Sequence, residues 1–164
     1  MAIQRTGGPE LTRDAVWRAL ERASFAVIGH VTGSGEPRSS GVVYGVADGR
    51  LYVVVAADGW KAHDLHTGDE VSVTVPVRRG GLLALLFPIP PATISFHATT
   101  TVHAAGTVRP EQLPHDLARL LPAPASGSSV VLELFPSGAF VTYGIGVSLL
   151  ALRRPELARG RVAC

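Results

Sequence analysis

The stretch Arg38-Ser-Ser-Gly-Val-Val-Tyr-Gly-Val-Ala-Asp-Gly-Arg-Leu-Tyr-Val-Val-Val55 carries two strand-like runs joined by an Asp-Gly pair. Arg38 to Tyr44 and Leu51 to Val55 are rich in β-branched and aromatic residues, which suit a pleated, half-buried surface. Asp48 and Gly49 tolerate the positive φ angles that a tight hairpin turn requires, so Ala47-Asp48-Gly49-Arg50 predicts two antiparallel strands. Upstream, Phe25-Ala-Val-Ile-Gly-His-Val31 reads as a further strand, and Thr32-Gly-Ser-Gly-Glu36 supplies turn residues before Pro37. Earlier still, Val16, Trp17, Leu20 and Ala23 recur at helical spacing while Arg13, Arg18, Glu21 and Arg22 face away. Leu11 to Ala23 is therefore an amphipathic helix with Thr12 as its N-cap. Downstream, Asp58 is placed to cap a short helix over Gly59 to His66, with Gly68 as its stop. Glu70 to Val77 alternates valines with Glu, Ser, Thr and Pro, the pattern of a strand buried on one side.

The second half is less regular. Residues 78–92 form an apolar, proline-rich loop, open to three readings: a dimer-packing segment, a lid, or a weak membrane contact. Thr93 to Val108 is β-prone, and Pro110 to Leu121 has helical spacing of leucines. Val130 to Phe135 and Ala139 to Tyr143 read as two strands about a Pro136-Ser137-Gly138 turn, leaving 151–164 as a C-terminal tail. Strands joined by short turns run antiparallel, and six or seven of them remove their exposed edges by closing into a barrel. The expected fold is mainly β, one domain over 1–164, with 1–23 as an N-terminal arm and helix.

Apolar residues make up 46% of the chain and charged ones 17%, which excludes disorder. The net charge is +2, and the basic residues are scattered apart from Arg78-Arg79 and Arg153-Arg154. A nucleic-acid binder concentrates them on one face, so none is expected as a partner. The single cysteine, Cys164, admits no intrachain disulfide and suits a reducing compartment. Met1 to Glu10 lacks the apolar run of a signal peptide. Leu82 to Phe87 falls far short of the roughly 20 residues needed to span a bilayer. A cytoplasmic protein without a membrane span is expected.

Reactive side chains form few patterns. His63 and His66 have a spacing that can chelate a metal, but no motif supplies a third ligand. Ser39 and Ser40 precede Gly41 without a nucleophile elbow, and Gly144-Ile-Gly146 lacks the context of a dinucleotide loop. No catalytic acid, base or nucleophile is named by the sequence.

From Ala26 to Val77 the order is strand, Gly35-Glu36-Pro37 turn, strand beginning Arg38-Ser39-Ser40, Asp-Gly hairpin, strand, and short helix with Lys61-Ala62-His63-Asp64-Leu65. This resembles the N-terminal half of the FMN-binding split barrels of the pyridoxamine 5'-phosphate oxidase-like superfamily. Val141 to Leu150 followed by Arg153-Arg154-Pro155 is similar to a C-terminal pattern in small members of it. The resemblance implies a six- to seven-stranded antiparallel split β-barrel with short flanking helices. It implies a homodimer with FMN at the interface and the ring along the second and third strands, beside Ser39, Ser40, Gly41, Val54 and Val55. By position the phosphate falls to Arg38 and Lys61. A lysine in the first turn of a helix adds an ammonium to an end that already favours anions. The family often has Tyr-Thr where Val54-Val55 stand and Ser-Arg where Gly59-Trp60 stand, so several phosphate donors are replaced here; Trp60 could stack on the ring, shield the site or plug it. The arginine- and histidine-bearing C-terminal signature of true pyridoxamine-phosphate oxidases is also absent. The function implied is a flavin-dependent oxidoreductase acting on a small organic substrate. The alternatives are a reductase using the deazaflavin F420 and a non-catalytic flavin- or haem-binding protein.

Overall fold

The computed structural model describes residues 11–79, 91–104, 107, 129–148 and 154–164, without the side chains of Trp60, Lys61 and Pro155. At the Asp-Gly turn both central residues take positive φ, 51° at Asp48 and 70° at Gly49. That geometry matches the right-handed twist of the strands it joins, β2 (Pro37–Ala47) and β3 (Arg50–Ala56). β1 (Phe25–Val31) and β4 (Glu70–Val77) have the bounds that their residue patterns predict. β5 (Ala92–His103) and β6 (Ser129–Tyr143) are long, and β7 (Arg159–Ala163) ends the chain. The sheet runs β3-β2-β1-β4-β5-β6-β7, and β3 also pairs with β6. All pairings are antiparallel, so β1 to β6 close into a six-stranded barrel with β7 as an extra strand beside β6.

Alternation fills the barrel. Ala26 and Ile28, Val42 and Tyr44, Leu51 and Val53, Val71, Val73 and Val75, Ile94, Phe96 and Ala98, and Leu132 and Leu134 are all buried in one core. Helix α1 (Arg13–Arg22) adds Val16 and Leu20 to it. Thr12 caps α1 by accepting a hydrogen bond from the Ala15 N–H at 3.2 Å, as its sequence position predicts. The far end is tied by the Tyr44 hydroxyl, which donates to the Leu20 carbonyl at 2.7 Å and so satisfies a last-turn acceptor in the interior. Burial raises the Tyr44 hydroxyl pKa well above its ordinary value. Trp17 meets Phe140 edge-on at 5.5 Å, and Phe140 meets Phe96 likewise at 5.2 Å.

Several expectations are corrected. Val130–Phe135 and Ala139–Tyr143 are not a hairpin but parts of the single strand β6. Both parts pair with β5 in the same sense, and the register slips between Ser95–Val141 and His97–Ser137. Pro136 and Ser137 pair with Ala98 and His97, and the extra residues from Gly138, at φ 73°, to Phe140 form a bulge. Pro136 falls between the segment that pairs with β3 and the segment that pairs with β7, where a residue without an N–H disrupts neither of those ladders. The expected tail over 151–164 contains helix α3 (Pro155–Ala158) and β7, which pairs from Ala139–Ala163 to Tyr143–Arg159. The helix expected over Gly59–His66 is a five-residue helix α2 (Trp60–Asp64). His66 lies in the next turn, where its N–H donates to Asp69 Oδ2 at 2.8 Å. β5 starts at Ala92 and ends at His103, short of Val108. The helix over Pro110–Leu121 and most of the 78–92 loop fall outside the described residues. Among the described residues, no helix is long and apolar enough to cross a membrane.

Candidate functional site

Two neighbouring strands part company in this barrel. β2 and β3 are hydrogen-bonded only from Ala47–Arg50 to Tyr44–Val53. Beyond that point β2 continues along β1 from Val43 to Pro37, whereas β3 continues along β6 to Ala56. Each strand follows its other partner, and the facing edges diverge. A cleft of about 320 Å³ opens between them, lined by Gly41, Val42 and Val43 on one side, Val54, Val55 and Ala56 on the other, and Gly59 before α2. The structure therefore brings Gly41, Val54 and Val55 together, three of the positions singled out from sequence. The ring of Phe25 lies over Gly41, and a Cβ at residue 41 would meet its atoms at 2.8 Å. A diverging pair of strand edges offers main-chain donors and acceptors beside apolar walls, which suits a flat ligand with a polar rim. A cleft of about 330 Å³ between α1 and the hairpin turn is lined by Trp17 and by the charged groups of Arg13, Asp14, Glu21 and Asp48.

Arg38 stands three residues before Gly41 on β2, at the end of the barrel. Its pairing partner on β1 is His30. The guanidinium is about half exposed, and its Nη1 donates to Asp64 Oδ2 at 3.4 Å. Glu36 lies at 4.0 Å from its Nη2. The same Asp64 oxygen is 3.8 Å from Nε2 of His30, whose ring is almost fully buried. Asp64 is carried by α2, which is seated by Leu65 in the core. Ser39 is exposed and Ser40 half-buried. Trp60 and Lys61 are on the α2 backbone, and their side chains lie outside the described residues. With five residues rather than eight, α2 aligns fewer peptide dipoles than the sequence implied, so less of the anion preference falls to it.

A second polar cluster was not singled out from sequence. Glu133 on β6 is 6% exposed and accepts from Arg50 Nη1 at 2.7 Å and from the Tyr52 hydroxyl at 3.0 Å through Oε1. Its Oε2 lies 2.7 Å from Nε2 of His103 on β5. Burial alone pushes the Glu133 carboxyl up, but the hydrogen bonds from His103, Arg50 and Tyr52 outweigh it and hold the group below its usual range. Burial, with help from Glu133, raises the Tyr52 hydroxyl pKa. The guanidinium of Arg50 also sits 4.6 Å over the Phe135 ring. The available signal was a lone carboxylate inside Val130-Val-Leu-Glu-Leu-Phe135, since a charge within such a run requires partners. Tyr52 and Val54 lie on the same face of β3, so the cluster adjoins the cleft wall.

No family model and no curated protein matches the sequence. Solved structures do. A putative pyridoxamine 5'-phosphate oxidase from Listeria innocua superposes with a TM-score of 0.55 at 16% identity, over 75% of this chain and 91% of that one. The chain shares its fold, a split barrel, with this structure. HutZ, the haem storage protein of Vibrio cholerae, shares this split barrel with a TM-score of 0.62 at 12% identity, over 82% of this chain and 96% of that one. An F420 reductase gives 0.53 at 14% identity, over 75% and 93%.

Proposed function

We propose that this split-barrel chain binds FMN in the cleft between β2 and β3 and serves as a flavin-dependent oxidoreductase for a small organic substrate. The observation that carries the reading is the divergence of the two strands after Tyr44–Val53, which opens a site against Gly41, Val54 and Val55. The residues present fit the group. Val43 and Val54 offer apolar surface to the ring, the open strand edges offer hydrogen bonds to its polar rim, and the half-exposed Arg38 guanidinium offers donors to the phosphate. Lys61 follows on α2 by sequence position. Bound FMN would supply the electron transfer, and the chain would bind and orient it.

The reading includes a homodimer. Phe25 and Val43 are cross-strand partners on the outer face of β1 and β2 and are 46% and 49% exposed; Val31 on the same face is 64% exposed. Apolar side chains grouped in this way favour a covering partner, and a second copy would also close the cleft beside Val43.

The test is a visible absorption spectrum of the purified protein with and without added FMN, followed by titration of Arg38→Ala and Lys61→Ala. Each variant is expected to lose roughly 1.5–3 kcal/mol of FMN binding, the worth of a hydrogen bond to a charged group. Protein that takes up no FMN overturns the reading. Uptake of reduced F420 instead moves the assignment to the deazaflavin alternative.

A further inference from the structure

The reading above leaves a conflict at Arg38. The guanidinium meant for a phosphate already faces a carboxylate. We propose that Asp64 is an internal counter-anion for Arg38, and that it sets how strongly the cleft prefers a phosphorylated ligand over its unphosphorylated form. The inference rests on the FMN reading and names the residue that limits it.

Asp64 is not a chance surface partner. It sits about a quarter exposed, on a helix anchored by the buried Leu65, and one oxygen faces both Arg38 Nη1 at 3.4 Å and His30 Nε2 at 3.8 Å. His30 and Arg38 are themselves cross-strand partners on β1 and β2, so three elements fix the arrangement. Glu36, by contrast, is two-thirds exposed and 4.0 Å from the guanidinium.

Asp64 has two opposed effects on an incoming phosphate. Holding the guanidinium steady lowers the cost of ordering it. Its negative charge repels the dianion and competes for the same donors. The first effect is weak here, because the Asp64 contact at 3.4 Å is well beyond the roughly 2.7–2.9 Å of a strong charge-assisted hydrogen bond. The second needs no short contact. Repulsion and competition therefore win, and Asp64 lowers the affinity for a phosphate without touching the ring.

The experiment measures FMN and riboflavin binding to wild type, Asp64→Asn, Arg38→Gln and the double variant by flavin fluorescence. Asp64→Asn keeps the side-chain shape and removes the charge. The preference for FMN over riboflavin is expected to rise roughly fivefold, the effect of one unit charge on a dianion about 8 Å away in water-like surroundings, and by more if the phosphate sits closer. Riboflavin affinity should stay the same, which also reports an intact cleft, and the part of the gain that comes from competition for the guanidinium should vanish in the double variant, leaving only the relief of direct repulsion. An unchanged or smaller preference in Asp64→Asn overturns the inference while leaving the cofactor reading standing. A wild type that binds both flavins alike, with no change in Arg38→Gln, overturns the assigned phosphate site itself.

Discussion

Replacing Glu133 by glutamine tests whether the buried carboxylate supports the barrel. The substitution keeps the volume and removes the charge. An ionised Glu133 accepts at 2.7 Å from His103 and at 3.0 Å from Tyr52, bonds expected to be stronger than neutral ones by about 1 kcal/mol each. His103 sits on β5 and Tyr52 on β3, so both neighbours of β6 lose strength together. Arg50 is left out of the sum, because its exposed guanidinium recovers water. The amide of glutamine would also set an N–H against the protonated Nε2 of His103 unless the ring changes tautomer. Relief of charge burial returns part of this, roughly 1 kcal/mol or less. The net loss is about 1–2 kcal/mol, which for a urea m-value near 2 kcal/mol/M moves the midpoint down by about 0.5–1 M. The measurement is paired urea unfolding of wild type and variant, followed by circular dichroism, across a pH series. The sign is fixed by the carboxyl, whose folded pKa is depressed. Its contribution is complete above the unfolded value of about 4.3 and is lost as pH falls through the lower folded value. The gap between the two proteins should hold from neutral pH to about 5 and close under strong acid. Equal midpoints at pH 7, or a gap that survives full protonation, would refute the reasoning.

Three further outcomes follow from the same contacts. Tyr44→Phe removes one of two donors to the Leu20 carbonyl, which keeps the Ala23 N–H at 3.2 Å, so a loss of about 0.5–1.5 kcal/mol is expected in denaturant melts. Gly138→Ala forces a Cβ into a φ of 73° and should cost about 1–2 kcal/mol, whereas Ala139→Gly in the same bulge should show no comparable strain. Val43→Asp places a charge on the exposed face of β2 and should shift the sedimentation profile toward monomer, with a melting temperature that falls by what dimerisation contributes to the wild type. Unaltered sedimentation in that variant would place the partner elsewhere.

The first half of the barrel was legible because its signals are local. An Asp-Gly turn has one good backbone solution, so the hairpin was placed correctly although β2 runs on to Ala47 and β3 spans Arg50–Ala56, and the alternating valines of Glu70–Val77 have one buried face and gave correct bounds. Pro136-Ser137-Gly138 carries the same composition as a turn, and whether it reverses the chain depends on β5, which runs past both parts of β6. That information is not local. β7 was missed for a related reason: five residues with Arg159 and Arg161 facing outward have no apolar period, and they become a strand only because Ala139–Tyr143 offers a ladder. The same logic separates the site residues. Gly41, Val54 and Val55 could be placed by strand order, whereas the Asp64–Arg38 contact depends on how α2 lies against the barrel end.

The cleft itself arises from a competition between ladders. β3 is seven residues long and needs partners along its whole length. β6 supplies them from Leu134 to Ser129, and β1 supplies the matching length of β2 from Val43 to Pro37. Once both outer ladders form, continuing the β2–β3 ladder past Tyr44–Val53 would require the strands to bend back against the partners that now hold them. Sheet twist accumulates with every paired strand and increases the divergence. The barrel therefore closes through β6 and stays open at one place, beside residues with little bulk on β2 and two valines on β3. Filling that opening with a larger side chain at Val54 would leave every ladder intact, whereas one at Gly41 would first have to displace the Phe25 ring, so at Val54 occupancy of the cleft and stability of the barrel are separable.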